Sequence, residues 1–316
     1  MDTRFTTLLF TLLLFASFLV SSNEIKKTPY ITVLGVAQDA GYPQAGCFKA
    51  HCMEGWLGNR PQISATSLGL VDPANKTKYL FEATPNLPIQ LFRLEQQAPS
   101  KEFELAGIFL THAHIGHYSG LMFLGHEAMG AKAVPVYAMP KMQIFLKNNG
   151  PWSQLIDYKN IVQRPLQNHT KTALRSSENQ LEIEPLIVPH RDEFSETVDY
   201  KIYSKDKVAL FIPDIDKWQK WESDIVALIR SVDYALLDAT FYAQEELPGR
   251  DMSKVPHPLV TESMELFEGL SQNDKNKVWF IHFNHTNPLL DRQSKQSKLV
   301  RSKGFNIAYE GLVLSM

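Results

Sequence analysis

Three histidines lie within the six-residue segment 112–117 (HAHIGH), which follows the apolar run 108–110 after one threonine. Residues i and i+2 of an extended chain share a face, so His112 and His114 point the same way, and His117 follows a turn at Gly116. Imidazole nitrogen is a preferred zinc ligand and also binds iron and manganese. Because the chain has only ten histidines, this clustering predicts a metal site.

Three further candidate ligands each follow a separate apolar run that is typical of a buried strand. They are His190, Asp214 and His282. In layered folds, functional sites collect where the carboxyl ends of strands open onto one edge. We therefore expect these side chains to meet the histidines of segment 112–117 and to complete one centre.

Other polar residues near these runs have weaker assignments. Asp238 follows a short apolar strand and either holds a ligand histidine in one tautomer or caps a turn. His285 lies close to His282 and either contacts substrate or supplies a proton, and His257 could face the same site. Glu82 is expected to be a buried hydrogen-bond acceptor. The histidines expected to be ordinary surface or helix residues are His51, His126 and His169.

The elements that would position these residues alternate between strand-like and helix-like runs. Leucines at 87, 91 and 94 have helical spacing and predict a helix over 87–97. Further helices are predicted over 118–129 and 217–232, and a closing strand over 305–314. Because no proline-rich or serine-rich linker divides the chain, the pattern predicts a single α/β or α+β domain.

Composition limits the classes of partner. The 316 residues carry a formal net charge of -2, and 44% of them are hydrophobic. A nucleic-acid-binding protein would need a basic face, which this composition does not supply. We therefore expect a small-molecule substrate and no nucleic acid; oligomeric state is not indicated.

The N-terminus has the three-part pattern of a secretory signal peptide. Residues 5–20 are almost wholly apolar, follow the basic Arg4 and precede a polar and charged segment. The alternative is an uncleaved anchor, but the run is shorter than the roughly 20 residues of a stable span. We expect a signal peptide at 1–22, a mature domain at 23–316 with no stable membrane span, and a secreted or periplasmic location.

The two cysteines allow two interpretations. In an exported protein Cys47 and Cys52 could form a disulfide that closes a small loop. The alternative is free or metal-bound thiols with His51 between them, but a structural zinc site needs four ligands. The sequence leaves both open.

The histidine motif resembles that of a known family. THAHIGH is similar to the HxHxDH signature of the metallo-β-lactamase superfamily, and the later His, Asp and His fall in that superfamily's order. Strings such as GVAQDAGYPQAGC, LLDATF and FIHFNHTNP look like the branch that contains the coenzyme PQQ biosynthesis protein B family. The resemblance implies a single-domain, four-layer αββα sandwich.

The resemblance also implies a ligand set. His112, His114 and His190 match the ligands of a first metal ion. His117 and His282 match ligands of a second, and Asp214 matches the carboxylate that bridges both. The implied cofactor is one or two zinc ions, with iron or manganese as alternatives.

Three departures from the family pattern matter. Gly116 stands where the signature has an aspartate ligand of the second metal, so we expect one tightly held ion and a weaker second one, and a gain of occupancy in Gly116→Asp. Of the cysteine-rich zinc motif of the related branches only Cys47 and Cys52 remain. The signal peptide argues against a simple role in PQQ assembly inside the cell.

The function expected from the sequence is metal-assisted hydrolysis of a small ester, phosphodiester, lactone or lactam by a metal-bound hydroxide. Asp214 would orient the nucleophile, and His285 would stabilise charge or protonate the leaving group. One rival is an iron-dependent oxidoreductase related to PQQ biosynthesis protein B. Another is a non-catalytic, metal-stabilised binding protein of the periplasm.

Overall fold

The chain folds into two seven-stranded mixed sheets that pack face to face and carry helices on their outer faces. The computed structural model describes residues 28–175, 179–191 and 193–316. The predicted signal peptide, residues 1–22, lies outside the described residues. This architecture confirms the predicted αββα sandwich in a single domain.

The first sheet contains the strand that leads into the histidine motif. In spatial order its strands are β14 (Val313–Ser315), β1 (Tyr30–Gly35), β2 (Ser67–Asp72), β3 (Thr77–Phe81), β4 (Glu104–Phe109), β5 (Val134–Ala138) and β6 (Ile161–Pro165). The pairs from β14 to β3 are antiparallel, and those from β3 to β6 are parallel. The parallel half therefore opens several carboxyl ends onto one edge.

The second sheet repeats this arrangement. Its strands, in spatial order, are β13 (Asn306–Ile307), β12 (Val278–Ile281), β11 (Tyr234–Asp238), β10 (Val208–Ile212), β9 (Val198–Tyr203), β8 (Glu182–Ile187) and β7 (Thr172–Ala173). The pairs from β7 to β10 are antiparallel, and those from β10 to β13 are parallel. The ends of β10, β11 and β12 thus face the same edge.

The core follows the two-residue period of the strands. On β3, Tyr79 and Phe81 point between the sheets, while Leu80 points to the outer helices. The ring of Phe81 lies 5.0 Å from that of Phe109 in the same sheet and 5.4 Å from that of Tyr200 in the other. These aromatic contacts fix the distance between the sheets, and thereby the distance between the loops at their common edge.

The α-helices connect the strands and cover the outer faces. They are α1 (Ala50–Trp56), α2 (Leu87–Gln97), α3 (Ile115–Tyr118), α4 (Pro140–Asn148), α5 (Trp152–Asp157), α6 (Ile225–Ser231), α7 (Val260–Leu266), α8 (Gln272–Lys275) and α9 (Lys295–Ser302). The bounds of α2 confirm the helix predicted over 87–97. None of the helices in the described part of the chain is long and apolar enough to cross a membrane.

The helix predicted over 217–232 is confirmed only in its C-terminal part. A 3-10 turn at Trp218–Lys220 comes first, and α6 begins only after Asp224, whose side chain accepts hydrogen bonds from Val226 and Ala227. The indole of Trp218 donates to the hydroxyl of Ser263 at 2.9 Å. The apolar spacing therefore reflects tertiary packing of the tryptophan rather than one continuous helix.

Two other predicted elements are also broken by long-range contacts. The helix predicted over 118–129 gives way to a 3-10 helix at Ser119–Leu124, where Gly120 donates to the carbonyl of Ala83 at 2.8 Å. The strand predicted over 305–314 divides into β13 and β14, which belong to different sheets. Gly311, at φ 86°, lies in the turn between them.

Candidate metal centre

The histidine motif lies where β4 runs into α3. His112 and His114 follow the strand, and His117 lies inside α3. Glu82, directly after β3, accepts a hydrogen bond from Thr111 at 2.6 Å and lies 3.1 Å from Nδ1 of His117. This contact confirms Glu82 as a buried acceptor. It fixes His117 with Nδ1 protonated, so that Nε2 is left for another partner.

A first group of four side chains converges on one small volume. His112, His114, His190 and Asp214 each place a ligand atom within 4.8 Å of the others. Nε2 of His112 lies 3.5 Å from Oδ2 of Asp214, and Nε2 of His190 lies 3.2 Å from Oδ1. Three of the four side chains are almost completely buried, and that of His114 is 15% exposed.

A second group shares the same carboxylate. Asp39, His117, Asp214 and His282 also lie within 4.8 Å of one another. Nε2 of His117 is 3.6 Å from Oδ2 of Asp214 and 3.1 Å from Oδ1 of Asp39. Asp214 therefore lies between the two groups, in the place of a bridging ligand.

Several donor atoms of the two groups lack a hydrogen-bond partner and have the separations expected of metal ligands. Both ring nitrogens of His190, Oδ1 of Asp214 and Nε2 of His282 are buried without a hydrogen-bond partner among the described residues. Leaving such groups unpaired costs about 1–3 kcal/mol each. Tetrahedral zinc ligands at 2.0–2.1 Å from the metal lie about 3.3 Å apart, which is close to the 3.2, 3.5 and 3.6 Å separations found around Asp214.

Charge supports the same conclusion. Burial raises the pKa of Asp214, but His190 and His257 lower it by more, so that the pKa of this carboxyl lies well below its usual range. Burial lowers the pKa of His117, yet Glu82 and Asp39 raise it well above the ordinary value. The concentration of carboxylates therefore favours positive charge at this point, which a cation would supply.

A hydrogen-bonded layer supports the second group. Oδ1 of Asp238 accepts from the hydroxyl of Thr240 at 2.7 Å, and that hydroxyl lies 2.9 Å from Nδ1 of His282. Oδ2 of Asp238 lies 2.9 Å from Nδ1 of His257, a fully buried ring that is also 3.2 Å from Asp214. Oδ1 of Asp238 also accepts a hydrogen bond from the backbone amide of Thr240 at 2.8 Å, so the structure supports both roles left open for Asp238, orienting histidines and capping a turn.

Sequence comparison identifies the family. The model of the β-lactamase superfamily domain matches residues 77–283, which is over half of the chain and includes all six predicted metal ligands. The chain belongs to the metallo-β-lactamase superfamily. Among its relatives, coenzyme PQQ synthesis protein B of Methylococcus capsulatus is 25% identical over 312 residues, covering 89% of this chain and 98% of that protein.

Solved structures agree with this superfamily fold. Zn²⁺-bound PqqB from Methylobacterium extorquens has a TM-score of 0.75 at 20% identity, covering 91% of this chain and 100% of that one. A diphosphatase from the PhnP family has a TM-score of 0.63 at 21% identity, covering 91% and 97%. At these identities the likeness establishes the fold alone.

The superfamily fold brings together the side chains that the sequence singled out. The six predicted ligands are His112, His114, His117, His190, Asp214 and His282, and all occur in the two groups around Asp214. That they bind metal stays a prediction. Sequence analysis gave only a weak signal for His257, which stands between two prolines with no strand before it. It gave none for Asp39, which follows β1.

His285 lies in a separate group of candidate ligand side chains. It groups with Cys47, His51 and Cys52, and its ring lies 5.6 Å from that of His51. Cys47 and Cys52 form a disulfide, which is the first of the two interpretations of the cysteines. With His51 and His285 they also form a group of four side chains close enough to hold a metal ion. The structure thus places His285 beside this disulfide and outside the groups that contain Asp214, and its catalytic role stays an untested prediction.

Proposed function

We propose that this chain is an exported metal-dependent hydrolase that cleaves a small ester or phosphodiester. The observation that carries the proposal is the position of Asp214 between two groups of histidines. Both ring nitrogens of His190 and Nε2 of His282 in these groups are buried without a hydrogen-bond partner among the described residues. A zinc ion bound there would lower the pKa of a bound water to about 7 and polarise the bond to be cleaved. Lactones and lactams are further substrates within this chemistry.

The chain's own residues have distinct roles in this proposal. His112, His114 and His190 hold one side of Asp214, and His117 and His282 the other. Their rigid burial keeps the site geometry fixed, so that little reorganisation is needed during reaction.

His257 is the residue best placed to move a proton. Its Nδ1 is held by Asp238 at 2.9 Å, which leaves Nε2 as the nitrogen available for exchange. The same Nδ1 lies 3.2 Å from Oδ1 of Asp214, so the ring packs directly against the residue that both metal groups share. This geometry makes His257 a stronger candidate for protonating the leaving group than His285, which lies with the disulfide.

Two exposed apolar side chains support an organic substrate. Ile115 follows His114 directly and is 65% exposed, and Phe194 is 64% exposed. Glu193, the neighbour of Phe194, lies 3.3 Å from His114. Exposed apolar groups beside a polar site favour a substrate that carries an apolar group rather than a bare phosphate.

The first experiment is a substrate panel on zinc-loaded protein. It compares bis(p-nitrophenyl) phosphate, p-nitrophenyl esters, a lactone and a lactam, with Asp214→Ala as the matched inactive control. We expect turnover of at least one ester or phosphodiester that Asp214→Ala lacks. Absence of turnover across the panel in protein that holds its metal would contradict the proposal and favour a metal-stabilised binding protein.

A second candidate is iron-dependent oxidation. It is favoured by the donor set of the two groups, because histidine and carboxylate ligands also suit ferrous iron. Metal analysis of protein from the native host separates the two. Iron together with substrate-dependent oxygen consumption would support oxidation, and zinc without it would support hydrolysis.

A further inference from the structure

Gly116 leaves the second metal group without the carboxylate that the superfamily motif supplies at this position. In the HxHxDH signature this position supplies a charged ligand to the second metal, and glycine supplies none. His117 and His282 nevertheless remain in place, and Nε2 of His282 is buried without a hydrogen-bond partner among the described residues. A carboxylate for this group in addition to Asp214 has to come from elsewhere in the chain.

We propose that Asp39 is the carboxylate ligand of the second metal site and replaces the side chain that residue 116 lacks. This inference rests on the metal centre proposed above. Oδ1 of Asp39 lies 3.1 Å from Nε2 of His117 and 3.8 Å from Nε2 of His282. These separations bracket the spacing of about 3.3 Å between atoms that share a tetrahedral zinc ion.

The other nitrogen of each histidine is already engaged. Nδ1 of His117 contacts Glu82 at 3.1 Å, and Nδ1 of His282 contacts the Thr240 hydroxyl at 2.9 Å. Both rings therefore present Nε2 towards Asp39. A metal between these three atoms would satisfy His282, which Asp39 is too distant to satisfy by a hydrogen bond.

Asp39 occupies the space that a side chain at position 116 would need. A Cβ atom at position 116 would lie 2.3 Å from Cα of Asp39 and 2.7 Å from its carbonyl oxygen. No side chain fits there while the Asp39 loop is in place. With Asp39 in this position, residue 116 cannot be the aspartate of the motif.

The backbone holds Asp39 beside His282. Ala37 forms a parallel bridge with Phe283, and the amide of Gln38 donates to the carbonyl of Phe283 at 2.8 Å. The amide of Phe283 in turn donates to Val36 at 2.8 Å. The end of β1 is therefore paired with the residue that follows His282, so the carboxylate is positioned by main-chain bonds of both sheets.

The test is metal stoichiometry and affinity, measured on metal-free protein titrated with Zn²⁺ against a chromophoric chelator, with Co²⁺ absorption spectra as a second readout. We expect two equivalents in the wild type. Asp39→Ala should keep the first and weaken the second at least about 100-fold, more than the loss of a typical outer-sphere partner. Asp39→Asn, which keeps a neutral oxygen donor and nearly the same shape, should lose less.

Asp206→Ala is the matched control, because it makes the same substitution at an exposed aspartate that belongs to neither group. We expect it to leave the second equivalent at wild-type affinity. Circular dichroism and urea unfolding check that each variant is folded. A wild type that binds one equivalent, or an Asp39→Ala protein that binds both with wild-type affinity, overturns the inference.

Gly116→Ala gives an independent test. Its Cβ would displace Asp39, so it should lower second-site affinity in the wild type and have no further effect in Asp39→Ala. Additive losses would overturn the inference. The structure thereby reverses the sequence-based expectation for Gly116→Asp, which should lose occupancy at the second site rather than gain it.

The experiments distinguish failure of the Asp39 ligand assignment from failure of the proposed hydrolysis. If Asp39→Ala loses one metal while the wild type hydrolyses nothing in the panel, the ligand assignment stands and hydrolysis fails. If the wild type hydrolyses its substrate and Asp39→Ala retains both metals, hydrolysis stands and the ligand assignment fails.

Discussion

Asp214 is the residue on which the candidate centre depends most. Its buried carboxylate lies within 3.6 Å of ring nitrogens from His112, His117, His190 and His257. A buried carboxylate with no metal would be costly unless it were paired. Removing it therefore changes both the charge balance and the geometry of each histidine group.

Alanine substitution of the ligands is the direct test of one working centre. His112→Ala, His114→Ala and His190→Ala should each lower bound metal and remove most hydrolytic activity, and Asp214→Ala should do at least as much harm. The effects should not add, because losing any member disables the same site. Metal analysis and initial rates measure this, and circular dichroism should stay close to wild type. Full metal and activity in His190→Ala would restrict the site to the 112–117 segment.

The proposed proton transfer by His257 predicts a dependence on the leaving group. His257→Gln should lower kcat roughly 100-fold for an alkyl leaving group, which needs a proton. It should lower kcat much less for p-nitrophenolate, which leaves without one. Bound metal should be unchanged, and the exposed His126→Gln serves as control. Equal losses for both leaving groups would show that His257 has only a structural role.

At the scale of elements, the turn after β11 contains a carboxyl with an unusual protonation state. Burial raises the pKa of Glu246 from 4.5 to about 7, although hydrogen bonds from Thr286 and the amide of Tyr242 lower it. The folded state thus favours the protonated form. Its contribution to stability is fully present below pH 4.5 and is lost as the pH rises through about 7.

Glu246→Gln should remove this pH dependence. A raised pKa of this size corresponds to at most about 3 kcal/mol of unfolding free energy between pH 5 and pH 9. The variant should therefore be more stable than wild type at pH 9 and similar at pH 5, as measured by urea unfolding. Glu245→Gln, an exposed neighbour with the same change of charge, should keep the pH dependence of the wild type. The same pH dependence in Glu246→Gln and wild type would contradict the assignment.

At the scale of the whole molecule, the two sheets bring separate loops to one edge. The parallel strands β4, β10 and β12 end beside the segments that carry His112, Asp214 and His282. The aromatic layer between the sheets, including Phe81 and Tyr200, sets how closely these segments approach. The centre therefore depends on the packing of both halves of the chain.

Export of the whole protein is a prediction that concerns its N-terminus. The apolar run 5–20 should direct secretion, and cleavage should leave a mature chain that begins near residues 22–24. N-terminal sequencing or intact mass of protein from the native host measures this. A chain that retains Met1 in the soluble cytoplasmic fraction would exclude export.

The sequence was informative where the signal was local. The strand periodicity, the helix over 87–97 and the histidines after apolar strands all follow from side-chain spacing, which the residues themselves carry. Polar ligands that interrupt apolar runs are visible without any knowledge of partners. The superfamily order of His190, Asp214 and His282 likewise needs only the linear chain.

Tertiary structure decided which side chains meet. Asp39 and Gly116 are far apart in the sequence, and only the pairing of the ends of β1 and β12 shows that the first occupies the space of a side chain at the second. The same packing places His257 against Asp214 and His285 beside the disulfide. Spacing along a chain limits local geometry, whereas distances between loops are set by the register and packing of whole sheets.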